Sequence, residues 1–275
     1  MNALTDLSFS SHASAFDRGL TLEALHQRAP AVFGACAHAR TSARYTFIPT
    51  EHVLTGLMKA GFLPVEARQT RARGTSPMHG RHMLRLRRRY ETISLRDRSI
   101  PEVVFLNSHD GTTAYQLRMG IYRAVCANGL IVSRGAFPAY CVAHRGSVVD
   151  RVIAGALEVS KRFESLAAKV ERMEARLLFK DEQLRFAERA LALRYSHPAQ
   201  TGMQASQLLT CRRAEDAGQD LWTLLNKCQE ALLRGGLSRR SLSGSLTRTR
   251  RITSIATDVR LNNLLWDLAE ETLAS

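Results

Sequence analysis

FLPVEARQTRARGTSPMHGRHMLRLRRR, residues 62–89, reads as two extended runs around a polar connection. Phe62 to Ala67 is extended, and residues 70–80 carry the Gly, Ser, Thr and Pro of a loop. From Arg81 to Arg89 apolar and basic residues alternate, so that His82, Leu84 and Leu86 lie opposite Met83, Arg85 and Arg87. Two such runs joined by a loop make a β-hairpin. The next apolar run repeats the pattern: Val103 to Leu106 is a strand, Asn107, Ser108, His109, Asp110 and Gly111 form a turn, and Thr112 to Met119 returns. Linked hairpins without regular strand–helix–strand spacing imply an antiparallel sheet, not a doubly wound one.

Upstream, residues 1–19 are polar and mixed, Thr21 to Gln27 suits a short helix stopped by Pro30, and Tyr45, Phe47 and Pro49 read as a short strand. Thr50 is expected as the N-cap of a helix with Glu51 in its first turn, Val53, Leu54, Leu57 and Met58 on its apolar side, and Gly61 at its end. Downstream of the sheet, Ile121 to Ala127 is expected as a short helix closed at Gly129, followed by strands at residues 130–132 and Tyr140 to His144. From Ser147 to about Arg194 helical periodicity is almost unbroken, with a break expected near Leu178 to Asp181 and coiled-coil self-association as the rival reading. Gln207 to Arg213 and Glu215 to Leu233 suit further helices, residues 234–254 an exposed basic loop, and Ile255 to Leu273 a terminal helix. The fold class expected is therefore α+β: an antiparallel sheet with a basic hairpin, packed against a mainly helical C-terminal half. Its regions are an arm and short helix over 1–40, an α+β domain over 41–146 and a helical region over 147–275.

The 275 residues carry 39 Lys and Arg against 25 Asp and Glu, a net charge of +14 and a pI near 10.3. A polyanion is attracted to such a surface through counterion release. Ten arginines and two acids fall between Arg68 and Arg98. Arg71, Arg73, Arg81, Arg85, Arg87, Arg88 and Arg89 are the expected phosphate contacts, with Tyr90 available to stack on a base. A solvated arginine-rich strand is the plainer reading of the same residues. A second cluster, including Arg239, Arg240, Arg248, Arg250 and Arg251, reads either as an arm that orders on nucleic acid or as a linker. His109 and Asp110 are the candidates for catalysis, as a general base or, with a distant carboxylate such as Glu102, as a metal site for a nuclease. An Asx turn explains the same pair without chemistry.

The five cysteines are dispersed without a CxxC pair, and no phosphate-binding loop, dinucleotide fingerprint, HExxH or GxSxG motif occurs. No run of 18 apolar residues occurs either. The expectation is a cytoplasmic protein with no membrane partner and no cofactor, a divalent metal entering only under the nuclease reading.

SARYTFIPTEHVLTGLMKAGF, GRHMLRLRRR, FLNSHDGTTAYQLRMGIYRAVCANGLIV and RRITSIATDVRLNNLLWDLAEE together resemble the phage- and plasmid-like proteins that carry domain of unknown function 932. The matching positions are Arg81, His82, Arg85, Asn107, Ser108, His109, Asp110, Gly111, Cys126, Asn128 and Gly129, with Asn262, Asn263 and Trp266 near the end. The resemblance implies cargo of mobile elements and assigns no catalytic role. The expected function is sequence-independent nucleic-acid binding, single-stranded DNA ahead of duplex or RNA, in annealing or protection. The alternatives are an interaction protein assembling through its long helices, including as a homo-oligomer, and a metal-dependent nuclease.

Overall fold

A computed structural model describes residues 19–70, 76–89, 99–123, 128–241 and 243–275, with the side chain of Asn128 excepted. Arg71, Arg73, Tyr90 and Cys126 lie outside the described residues.

The alternating runs form an antiparallel sheet. β1 (Phe62–Gln69), β2 (His82–Arg88), β3 (Ser99–Asn107), β4 (Tyr115–Arg123) and β5 (Asn128–Val132) lie side by side in that order, and β6 (Tyr140–Val142) pairs with the other end of β4. Leu84 sits opposite Phe105 on β3, and Phe105 opposite Leu117 on β4, so the apolar sets of three strands fall on one face. Register shifts between Pro64 and Glu66, which places a bulge in the edge strand where proline removes a donor.

That first face is covered by α2 (Thr50–Lys59) and α3 (Val148–Ser160), with α1 (Leu22–Arg28) alongside β1. A Cβ on Gly56 would lie 2.9 Å from Val149 Cγ1, and one on Gly155 would lie 2.3 Å from the Tyr140 ring, so glycine lets α2, α3 and the sheet approach closely. The opposite face is closed by the first half of α7 (Ile255–Ala274): Ile255 and Val259 pack on Met83, Val104, Leu106 and Ile131. α4 (Phe163–Ala175), α5 (Lys180–Arg194) and α6 (Leu221–Arg234) complete the helical half. One cluster of buried apolar side chains runs from Leu25 through the sheet to Ala269.

Several sequence expectations are corrected. Ile121 to Arg123 continue β4 instead of starting a helix, because the alternation of Leu117, Met119 and Ile121 carries on and Ile121 pairs with Leu130 of β5. Residues 45–49 form no strand. Pro49 holds the N-cap position of α2, and Thr50 makes no capping bond because its hydroxyl is engaged with buried side chains described below. The long helical stretch breaks at 161–162 as well as at 176–179, and α6 begins at Leu221, where Asp220 caps it by accepting from the Thr223 N–H at 2.8 Å. The basic segment 234–254 contains a hairpin, β7 (Ser238–Arg240) paired with β8 (Leu246–Arg248).

Candidate nucleic-acid interface

The turn after β3 divides its side chains between core and surface. Asn107, Ser108 and His109 have no exposed surface, while Asp110 points outward. Thr50 Oγ1 lies 2.9 Å from His82 Nε2 and 3.2 Å from His109 Nε2, and it accepts from Asn107 Nδ2 at 3.0 Å. His82 Nδ1 donates to the Gly80 carbonyl at 2.9 Å. Its Nε2 is therefore the bare nitrogen that accepts the Thr50 hydroxyl proton, and His109 donates to Thr50 from Nε2. Burial lowers the pKa of His82 to about 4 and that of His109 to about 3, so both imidazoles are neutral at pH 7. Tyr45 stacks on His144 and Tyr115 packs tilted against it, and their hydroxyls donate to the carbonyls of Ser108 and Ile48. The motif is thus a pinned structural knot.

Asp110 closes it on the outside. Its Oδ1 accepts from Ser108 Oγ at 2.6 Å, Thr112 N at 2.9 Å and Thr112 Oγ1 at 2.7 Å. Partial burial opposes ionisation, but these bonds and nearby Arg81 hold the carboxyl below its usual range. His109 is bonded inward to Thr50, while Asp110 is bonded to Ser108 and Thr112 at the surface, so the two side chains do not work together. Glu102 occupies the other face of the sheet with no exposed surface, so the three nuclease candidates do not converge. Among the described residues no three His, Cys, Asp or Glu side chains form a group that could hold a metal ion.

The expected phosphate contacts separate into two populations. Arg85 is 3% exposed; its Nε donates to Glu102 Oε2 at 2.5 Å, and Arg87 Nε donates to Glu102 Oε1 at 2.8 Å. Both guanidinium groups lie over the Tyr122 ring, at 5.3 and 4.9 Å. A Cβ on Gly129 would fall 1.3 Å from Arg85 Nη1, so this glycine leaves the space the guanidinium fills. Arg85 is therefore an internal strut and presents no charge to the outer surface. Arg88, Arg89, Arg239, Arg240, Arg248, Arg250 and Arg251 are exposed. Arg251 meets Arg85 in a small cavity that Glu66 and Asp258 also line, so the two basic clusters come together beside acids. Asn262 accepts from Gln229 Nε2 and donates to Asp258, Asn263 accepts from Ser133, and buried Trp266 packs edge-on against Phe137. These positions fix α7 to the sheet and α6.

Arg81 belongs to neither cluster. With Thr112 and Ala256 it joins two neighbouring cavities, of about 320 and about 410 Å³, into a groove along the start of α7. Arg40, Arg81, Arg118, Arg134 and Arg260 line this groove, and Asp110 is its one carboxylate among the described residues. Arg118 is bonded to Gln116 and Ser133, both neutral, and burial draws its pKa down. It remains a cation with no carboxylate beside it among the described residues. Arg134 pairs with Asp267 at 3.1 Å, whereas Arg40 and Arg260 make no ion pair among the described residues. Sequence reasoning missed Arg40, Arg118, Arg134 and Arg260 because they come from four separated segments. Arg118 alone left a trace, as a cation within the alternating strand Tyr-Gln-Leu-Arg-Met.

A family model described as "Domain of unknown function (DUF932)" matches residues 37–266. The chain belongs to this family. It is 43% identical over 258 residues to the "UPF0380 protein YfjQ" of Escherichia coli (strain K12) and 42% identical over 258 residues to the "UPF0380 protein YafZ" of the same organism; each match covers 94% of this chain and 93% of the relative. No solved structure matches. Within the DUF932 match lie Arg81, Arg118, Arg134, Arg260 and the whole histidine knot, so the groove is built on the family's own segment and not on an appendage.

Proposed function

We propose that this protein binds single-stranded nucleic acid, DNA by preference, along the groove beside α7, holding it through its phosphates without reading its sequence overall. The observation that carries this reading is Arg118, a partly buried guanidinium with neutral partners in a groove that, among the described residues, holds five arginines and one carboxylate. A desolvated cation without a counter-ion is costly, and an anionic ligand relieves that cost. Successive phosphates of one strand supply anions along the groove, and the amide end of α7 adds favourable partial charge. The exposed arginines of the β7–β8 hairpin and of the end of β2 raise the local concentration of any polyanion.

Fluorescence anisotropy of a labelled 30-nucleotide single strand, against the matched duplex and RNA, tests the reading. Saturable binding of the single strand that weakens as salt rises is expected, with a logarithmic slope of about 2 from about three phosphates neutralised at the Arg118 end, at roughly 0.7 each. No binding at low salt, or equal binding of all three probes, overturns it.

A further inference from the structure

Phosphates fit the Arg118 end of the groove, but the other end holds Asp110, whose charge repels them. Its Oδ1 is saturated by three donors, while its Oδ2 accepts from no group among the described residues, and Asp110 lines a cavity together with His38, His79, Arg40 and Arg81. Arg81 donates from Nε to Thr113 at 2.8 Å, which leaves its two Nη amines for an acceptor beside that oxygen. The His38 and His79 rings, edge to face at 5.1 Å, line the same cavity. An acceptor next to donors, beside ring surfaces, in a cavity of about 320 Å³ fits a single unstacked base.

We infer that this cavity is a base pocket that takes an unpaired guanine, with Asp110 Oδ2 accepting from N1–H and the N2 amine while Arg81 donates to O6. The inference rests on the proposed strand binding. Thymine offers the same acceptor and ring N–H, but it carries a second carbonyl where guanine carries the amine, and that carbonyl oxygen opposes the carboxylate. Adenine and cytosine place an acceptor nitrogen where guanine carries N1–H. The pocket thus adds one base preference to a hold that is otherwise indifferent to sequence. A strand able to slide brings its guanine to the pocket.

Labelled oligo-dT of 30 nucleotides is compared with the same oligomer bearing one central dG or one central deoxyinosine, which lacks the N2 amine. A single dG is expected to tighten binding about tenfold, the effect of a well-placed base-edge pair, and inosine to recover only part of it. In Asp110→Asn, which keeps an acceptor for Ser108 and Thr112 but puts an amide in place of the charge, the dG-to-dT ratio returns to one. Equal affinities for dT and dG oligomers in the unaltered protein, or a ratio that survives Asp110→Asn, overturn the guanine pocket and leave the groove intact. Failure of every oligomer to bind overturns the groove, and the pocket with it.

Discussion

Glu102 has no exposed surface and accepts from Arg85 and Arg87, and Glu66 lies 3.7 Å from Arg85, so two cations on the α7-facing side of the sheet meet two carboxylates. Removing one partner of a buried ion cluster leaves the others uncompensated. Glu102→Gln is accordingly expected to cost about 3–5 kcal/mol, read as a lower urea midpoint at unchanged slope. Gly129→Ala drives a methyl into the Arg85 guanidinium, and overpacking of this kind costs about 1–3 kcal/mol; the same titration measures it. The histidine knot makes a pH prediction. His82 and His109 are held neutral, with folded pKa values of about 4 and about 3, below the unfolded value near 6.5. Between those values the unfolded chain binds more protons than the native one, so stability is complete above pH 6.5 and is lost as pH falls toward 4 and then 3. Urea unfolding at pH 7 and pH 5 is expected to differ by up to about 1.4 kcal/mol per pH unit for each histidine. In His82→Gln the dependence is shallower. The exposed alternation in RHMLRLRRR was readable, but the burial of Arg85 was not. Its partner lies on the next strand, and the available signal was a lone Glu102 in the apolar run PEVVFL.

At the scale of elements, periodicity decided most of the structure. The hairpin of β1 and β2, the return of β4 and the terminal helix follow from spacing alone. What failed were places where a tertiary contact outweighed a local preference. Thr50 looks like an N-cap, yet a buried hydroxyl that can serve two histidines and an asparagine is worth more there than one capping bond. The Cys-Ala-Asn-Gly sequence before Leu130 resembles a helix end, yet β4 had to run on to pair with β5. The break between α3 and α4 falls at Lys161 and Arg162, without glycine or proline to announce it. The β7–β8 hairpin projects Arg239, Arg240 and Arg248 into solvent, so replacing all three by glutamine is expected to change stability by no more than about 0.5 kcal/mol per residue. Thermal denaturation of the triple variant checks this.

For the whole molecule, a net charge of +14 predicts attraction to polyanions but not where they lie. The fold distributes the arginines unevenly: some brace the sheet against Glu102, some are exposed on hairpins, and five converge on a groove with one carboxylate among the described residues. That convergence was invisible in the sequence, because the chain approaches the groove from residues 40, 81, 118, 134 and 260 and only the packing of α7 on the sheet brings them together. The most direct measurement of the central claim is the salt dependence of single-strand affinity for Arg118→Gln with Arg260→Gln, set against Arg239→Gln with Arg248→Gln. The groove pair is expected to weaken binding at least tenfold and to lower the logarithmic salt slope by about 1.4, since each lost phosphate contact removes roughly 0.7, while the hairpin pair changes both far less. A groove pair that binds like the unaltered protein, with the loss appearing in the hairpin pair, would contradict the account.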